Sequence, residues 1–298
     1  MLTAIRKRRS YRRRAIEGYL FVAPWIIGFL AFTAIPLLTS LLIGFTSWTL
    51  VGAQKFVGLA NYQKMGHDPA FWKSLIVTLY YLVNVPLNLV IGLLLALLMN
   101  QKVKLIGFFR VLFYLPSVTA SVAVSLLWMW IFNSQFGLIN ALLAKIGIQG
   151  PLWLGSEVWA MPAMIIMSVW GVGGTMLIYL GALQGIPTEL YEAATLDGAG
   201  ALQKLLSITI PLLTPVILLT SMMGMISSFQ TFSQAYIMTQ GGPNRATTFF
   251  VLNLYREAFQ FYNMGYACAL SWVLFLIILV ASVLVLRFST SWVHYETV

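Results

Sequence analysis

Ala258–Leu286 reads AFQFYNMGYACALSWVLFLIILVASVLVL, 29 residues without an Asp, Glu, Lys or Arg. About 20 apolar residues suffice to cross the hydrocarbon core of a bilayer, so this stretch predicts a membrane span. Five charge-free windows precede it: Gly18–Gln54, Ser74–Gln101, Val111–Ala144, Val158–Thr188 and Leu205–Asn244. Each is long enough for the same purpose. Composition agrees, with 60% hydrophobic and 9% charged residues and a mean hydropathy of +0.86. Soluble domains carry about 25% charged residues. The chain is therefore read as all-α, a polytopic membrane protein. Six transmembrane helices are expected to form one compact bundle over 18–298, after a basic tail over 1–17. The first apolar run is too long for a cleaved signal peptide and lacks a small-residue cleavage site.

Lysine and arginine orient the bundle. Twelve of the 18 fall on the side of the termini: Arg6, Lys7, Arg8, Arg9, Arg12, Arg13, Arg14, Lys102, Lys104, Arg110, Lys204 and Arg287. The other six are Lys55, Lys64, Lys73, Lys145, Arg245 and Arg256. The positive-inside rule predicts both termini in the cytoplasm, together with the segment after the fourth window. The net charge of +10 then reports topology and attraction to anionic membrane lipids, not nucleic acid.

No catalytic machinery is legible. Cys268 is the one cysteine and lies in the last window, so an intrachain disulfide is excluded and packing is its expected role. His67 and His294 are expected on opposite sides of the membrane, which leaves no metal site. There is no phosphate-cradling glycine loop ending in Gly-Lys-Ser/Thr, and no Gly-x-Ser-x-Gly elbow. The windows hold no charged side chain, which argues against a proton relay. If ATP drives this protein, a partner supplies the chemistry, and the chain is expected to bind no cofactor itself.

Between the fourth and fifth windows runs Pro187-Thr-Glu-Leu-Tyr-Glu-Ala-Ala-Thr-Leu-Asp-Gly-Ala199. Pro187 suits the first turn of a helix, and Glu189 and Glu192 favour the positive end of its dipole. Gly198, after Asp197, can take the left-handed conformation that stops a helix. The body would be about ten residues, roughly 15 Å long. Ala193 and Ala194 leave one face nearly flat, open to another surface. A plain surface helix joining two spans is the alternative.

The spans themselves are uneven. Pro24, Pro36, Pro86, Pro116, Pro162, Pro211 and Pro215 are expected to kink helices and free backbone carbonyls, tolerable where protein or a watery cavity compensates. In the fifth window Ser227, Ser228, Gln230, Thr231, Ser233 and Gln234 crowd beside Phe229, Phe232 and Tyr236. Rings stack on the apolar faces of sugars while amides and hydroxyls take their hydroxyls. Interhelical hydrogen bonds, worth about 0.6–2 kcal/mol per pair, explain the same residues without a ligand. In the fourth window Trp170-Gly-Val-Gly-Gly174 removes side-chain bulk, either for close packing or for a wider cavity.

Several of these stretches resemble bacterial ABC importer permeases. The run Glu192-Ala-Ala-Thr-Leu-Asp-Gly-Ala199, followed by Ile208-Thr-Ile-Pro211 and Pro215, is similar to their cytoplasmic loop. Phe56-Val-Gly-Leu-Ala-Asn-Tyr62, Phe109-Arg-Val-Leu-Phe-Tyr-Leu-Pro116, Trp130-Ile-Phe-Asn133 with Gly137-Leu-Ile-Asn140, and Thr239-Gln-Gly-Gly-Pro243 resemble the carbohydrate-uptake branch. So does Tyr262-Asn-Met-Gly-Tyr-Ala-Cys-Ala-Leu-Ser271. That branch includes the maltose-transport F-type and glycerol-3-phosphate A-type permeases, and the likeness covers nearly the whole chain.

The resemblance implies a type I importer permease. A second related permease would complete the translocation path, two cytoplasmic ATPase subunits would hold ATP and Mg, and an extracytoplasmic solute-binding protein would deliver a sugar, oligosaccharide or glycerol phosphate. The loop at about 184–206 would couple to the ATPase through Glu189, Glu192, Ala193, Ala194, Asp197 and Gly198. The family's sugar-contacting regions fall on Trp170, Gly174, Ser228, Gln230, Thr231 and Gln234. Two departures stand out. Leu202 and Leu205 replace the aromatic residues that members often carry after the glycine, and the chain lacks the large external domain of the maltose F-type subunit. An autonomous channel or secondary transporter would need repeats or intramembrane charges, and a membrane enzyme a reactive cluster; neither signal is present.

Overall fold

The structure is a computed structural model that describes residues 17–50 and 52–293, so the cations Arg6 to Arg14 and His294 lie outside the described residues. Among the described residues the architecture is helical, apart from one isolated bridge pairing Thr46 with Phe56. Four helices among the described residues are long and apolar enough to cross a bilayer: Glu17–Ile43, Pro69–Met99, Ala201–Met238 and Met264–Ser289. The third and fourth windows each hold a bent pair instead. Ile106–Val118 meets Ser121–Ile131 at 99°, and Ala160–Trp170 meets Gly173–Gln184 at 42°. Counted as broken spans, these pairs bring the total to six.

The sharper bend has a chemical cause. Pro116 has no N–H to offer the carbonyl one turn earlier, and the chain turns extended at Thr119 and Ala120. Ser117 and Thr119 donate their hydroxyls to the Tyr114 and Leu115 carbonyls at 2.7 and 3.0 Å, satisfying backbone acceptors that the broken helix exposes. Prolines also explain two wide turns. The π-helical segments Leu30–Ala34 and Leu205–Thr209 each end one residue short of a residue–proline pair, Ile35-Pro36 and Ile210-Pro211. A proline ring clashes with the carbonyl four residues back, and widening the turn by one residue relieves that contact.

The chain forms two compact units. One comprises the described residues up to Met65 together with Glu257–Trp272, and the other Gly66–Arg256 with the described residues from Val273. In the first unit, Asn61 pins the reversal after the first span by donating from Nδ2 to the Gly44 and Thr46 carbonyls at 2.8 and 2.9 Å. Lys64 lies over the Tyr266 ring at 4.2 Å, and Trp272 Nε1 donates to Ser40 Oγ at 3.1 Å. The Phe56–Tyr62 stretch is thus part of a folded element. Buried cores of the second unit include two among the described residues. One gathers Tyr81, Trp128, Phe132, Trp153, Met164 and Phe249; the other gathers Ala96, Met176, Tyr179, Leu183 and Leu213.

Candidate functional site

Within the second unit the cores leave a cavity of about 440 Å³. The second span contributes Tyr81, Asn84 and Asn88 to its wall, and the bend of the third contributes Ser117, Thr119 and Ser121. Ser168, Trp170, Gly171 and Thr175 come from the fourth span, and Thr220, Ser227, Ser228, Thr231 and Gln234 from the fifth. Among the described residues no Asp, Glu, Lys or Arg stands on the wall. A pocket of this size, with uncharged hydrogen-bonding groups converging beside an indole, suits a small polyhydroxylated solute.

Hydrogen bonds across the helices hold the wall in shape. Asn84 Nδ2 donates to Ser228 Oγ at 3.1 Å, which joins the second span to the fifth. Asn88 Nδ2 donates to Ser168 Oγ at 3.2 Å, which joins the second to the fourth. Tyr179 and Thr220 share a hydroxyl hydrogen bond of 2.9 Å where the fourth and fifth spans meet. Trp170 is fixed edge-on to Trp128, with ring centroids 6.2 Å apart.

Of the residues expected to line a solute path, Trp170, Ser228, Thr231 and Gln234 stand on this wall. Gln230 does not; it follows the last turn of Ile210–Phe229 and is exposed. Gly174 is also off the wall, and a β-carbon there would rest 3.9 Å from Ser117. Its neighbour Gly173 explains the small-residue run differently, because a β-carbon at Gly173 would lie 2.1 Å from the Phe113 carbonyl oxygen. That glycine serves close helix packing. The sequence reading missed Asn84, Asn88 and Ser168. The legible signal was an asparagine pair at i, i+4 in an apolar window, a spacing that puts both on one helix face.

The segment after the fourth span folds as the helix Thr188–Leu196, nine residues long. Pro187 precedes it in extended conformation and is not in its first turn as expected, which leaves Glu189 in that turn. The far end closes as a Schellman motif. Gly198 takes φ +79°, Ala199 N donates to the Ala194 carbonyl at 2.8 Å, and Gly198 N donates to the Thr195 carbonyl at 3.1 Å. Glu189, Glu192, Ala193 and Asp197 are exposed, Ala194 is half-buried, and Leu196 is 89% exposed. Two side-chain ties hold the helix from behind. Tyr191 Oη and Thr209 Oγ1 are 2.9 Å apart, and Lys204 Nζ donates to Thr195 Oγ1 at 2.7 Å. Neither tie was anticipated.

The Thr239–Pro243 stretch forms a tight loop. Thr247 Oγ1 donates to the Gly242 carbonyl at 2.7 Å and Thr248 Oγ1 to the Gly241 carbonyl at 2.9 Å. The Arg256 guanidinium donates to the Gln240 carbonyl. Loss of hydration, and secondarily the charge of Arg245, lowers the Arg256 pKa from the usual arginine value.

Comparison with known proteins places this architecture. The sequence profile of the binding-protein-dependent transport system inner membrane component family matches residues 88–293. A protein of Bacillus subtilis named "Probable ABC transporter permease protein YesP" is 43% identical over 99% of this chain and 97% of its own length. The lactose transport permease LacF of Rhizobium radiobacter is 37% identical, covering 90% of this chain and 92% of LacF. The arabinooligosaccharide transport permease AraP of Bacillus subtilis is 33% identical, covering 94% and 90%. A crystal structure of a bacterial ABC transporter that imports the acidic polysaccharide alginate superposes with a TM-score of 0.84 at 23% identity, over 95% of this chain and 99% of that one. With its broken and continuous spans, its cavity and the exposed helix between the fourth and fifth spans, the chain belongs to the family of binding-protein-dependent transport system inner membrane components, the permease subunits of ABC importers.

Proposed function

We propose that this permease carries an uncharged sugar or oligosaccharide through the cavity described above, with both termini in the cytoplasm. A second related permease completes the path, and an extracytoplasmic solute-binding protein delivers the solute. Two ATPase subunits, which hold ATP and Mg, drive the cycle; this chain hydrolyses nothing itself. The Thr188–Leu196 helix sits in a groove of one ATPase subunit, and nucleotide-driven closure rocks the spans between inward- and outward-facing states. The observation that carries the reading is the wall itself, rich in hydroxyl and amide groups with a single indole and free of charged side chains. Relatives named for lactose and arabinooligosaccharide transport support the same cargo class. A glycerol phosphate is less well served, since a dianion needs a cation that this wall does not supply.

Two measurements test the reading. In a Cys268→Ser background, a cysteine at Gly200 is expected to react with an impermeant thiol reagent only from the cytoplasm, and one at Asn244 only from outside. Reversal at either position would overturn the orientation. For the path, Thr231→Ala is expected to lower uptake roughly two- to tenfold through loss of a solute hydrogen bond. Gln230→Ala, off the wall, is expected to leave uptake near wild type. Both variants should retain complex assembly and basal ATP hydrolysis. If uptake followed Gln230 and ignored Thr231, the solute would take another route.

A further inference from the structure

Asn84 and Asn88 stand one turn apart on the second span, and both line the cavity. Their amide hydrogens are all committed. Asn84 Nδ2 donates to the Tyr81 carbonyl and to Ser228 Oγ. Asn88 Nδ2 donates to Asn84 Oδ1 at 3.3 Å and to Ser168 Oγ at 3.2 Å. Ser168 gives its own hydrogen to the Ile165 carbonyl at 2.7 Å, so it has none to return. These partners dictate which way the Asn88 amide points, nitrogen toward Asn84 and Ser168. The Asn88 Oδ1 atom is left over, buried and accepting nothing from the protein. Among the described side chains the other buried polar atoms in this condition, Trp128 Nε1 and Asn253 Nδ2, are donors and belong to residues off the wall.

We propose that Asn88 is a specificity-determining residue of the translocation path, its Oδ1 accepting a hydrogen from a hydroxyl of an uncharged sugar in the cavity. The proposal rests on the sugar-import reading above. A buried acceptor without a donor is a standing penalty that native proteins seldom keep, and an arriving hydroxyl removes it. Asn88 lines the cavity while this oxygen is itself buried, so the contact forms as an arriving hydroxyl draws the amide oxygen toward the wall. Carboxylates and phosphates bring lone pairs and no hydrogen, so the same oxygen disfavours them. A site with a polar group awaiting its partner rejects analogues that lack the partner far more strongly than an apolar pocket does.

The test uses the whole complex in proteoliposomes, with its second permease, ATPase pair and binding protein. Uptake of maltose, trehalose, lactose and arabinotriose is measured, then of each monodeoxy derivative of the sugar taken up best. Asn88→Ala is expected to raise KM for that sugar roughly five- to hundredfold, while leaving KM unchanged for the one deoxy sugar that lacks the donating hydroxyl. Asn88→Gln, which keeps an acceptor, restores part of the difference. Ser168→Ala, which removes a partner of the nitrogen but not the acceptor, still discriminates among the deoxy sugars. Wild-type uptake by Asn88→Ala overturns the proposal, and so does an equal loss for the parent and every deoxy sugar. Should Asn88→Ala fail to assemble, Asn88→Gln decides, and an unchanged ranking of the deoxy sugars again overturns it. If the wild-type complex moves none of the four sugars, the sugar-import reading itself falls, and the proposal with it.

Discussion

Replacing Glu192 with lysine is expected to cut binding-protein-stimulated ATP hydrolysis about tenfold or more while the permease still inserts in the membrane. The Thr188–Leu196 helix has nine residues, and an isolated helix shorter than about 12–15 residues is marginal in water. Tyr191 and Lys204 tether it from behind, but Glu192 and Ala193 are exposed, and Leu196 stands almost wholly in solvent. A surface with a small residue beside a carboxylate and an uncovered leucine suits a groove lined by basic and apolar groups. Reversing the charge leaves those donors unpaired and sets like charges together. Gly198 contributes separately. Its φ of +79° strains any residue with a β-carbon by roughly 1–2 kcal/mol, and a β-branched one most. Gly198→Val should therefore misdirect the chain entering the fifth span and uncouple the ATPase, although nothing crowds the site. Gly200→Ala is the control, because Gly200 has φ −71° and open space around it. ATPase co-purification and stimulated hydrolysis at wild-type levels in Glu192→Lys would remove this helix from the coupling path.

What could be read from the chain in advance follows the range of the interactions involved. Spans were legible because hydrocarbon imposes a length and forbids charge, and each window meets both conditions. The Gly198 stop was legible because a left-handed residue is a local requirement that glycine meets. The 99° break was not. Pro116 announces a kink but not its angle, which depends on Thr119 and Ala120 turning extended and on two hydroxyls taking up backbone carbonyls. The cavity wall was half legible. Thr231 and Gln234 stand out in the fifth window, whereas Asn84 matters through Ser228, 144 residues later, and no local pattern names that partner. Gln230 falls off this wall for a related reason. Composition marks a polar cluster, but the end of the Ile210–Phe229 helix turns this one amide outward.

Gly173→Val is expected to destroy the complex where substitutions one residue away are tolerated. The helix Gly173–Gln184 packs against Ile106–Val118, and Gly173 faces the backbone of that helix directly. A β-carbon there would lie 2.1 Å from the Phe113 carbonyl oxygen and 2.8 Å from the Tyr114 Cα. Both neighbours are backbone, so no rotamer change can yield. Reaching even 3.0 Å requires the helices to part by 0.9 Å, the difference of 3.0 and 2.1 Å. Close-packed interiors resist such a shift, and overpacking costs about 1–3 kcal/mol, occasionally more, for yielding side chains alone. Alanine should therefore lower thermal stability of the detergent-purified complex by several degrees, and valine should prevent its recovery. Gly174→Ala meets only Ser117, at 3.9 Å, and Gly181→Ala meets nothing within 4 Å, so both should assemble and transport. The displacement also bears on transport. Ser117 follows Phe113 on the same helix, Thr119 caps that helix, and both line the cavity, while Trp170, Gly171 and Thr175 flank Gly173 on the facing wall. Any Gly173→Ala complex that survives should consequently bind its solute more weakly, in step with its lost stability. Wild-type stability and uptake in that variant would mean that the two helices have slack, and that the small residues of the fourth span are there to widen the cavity instead.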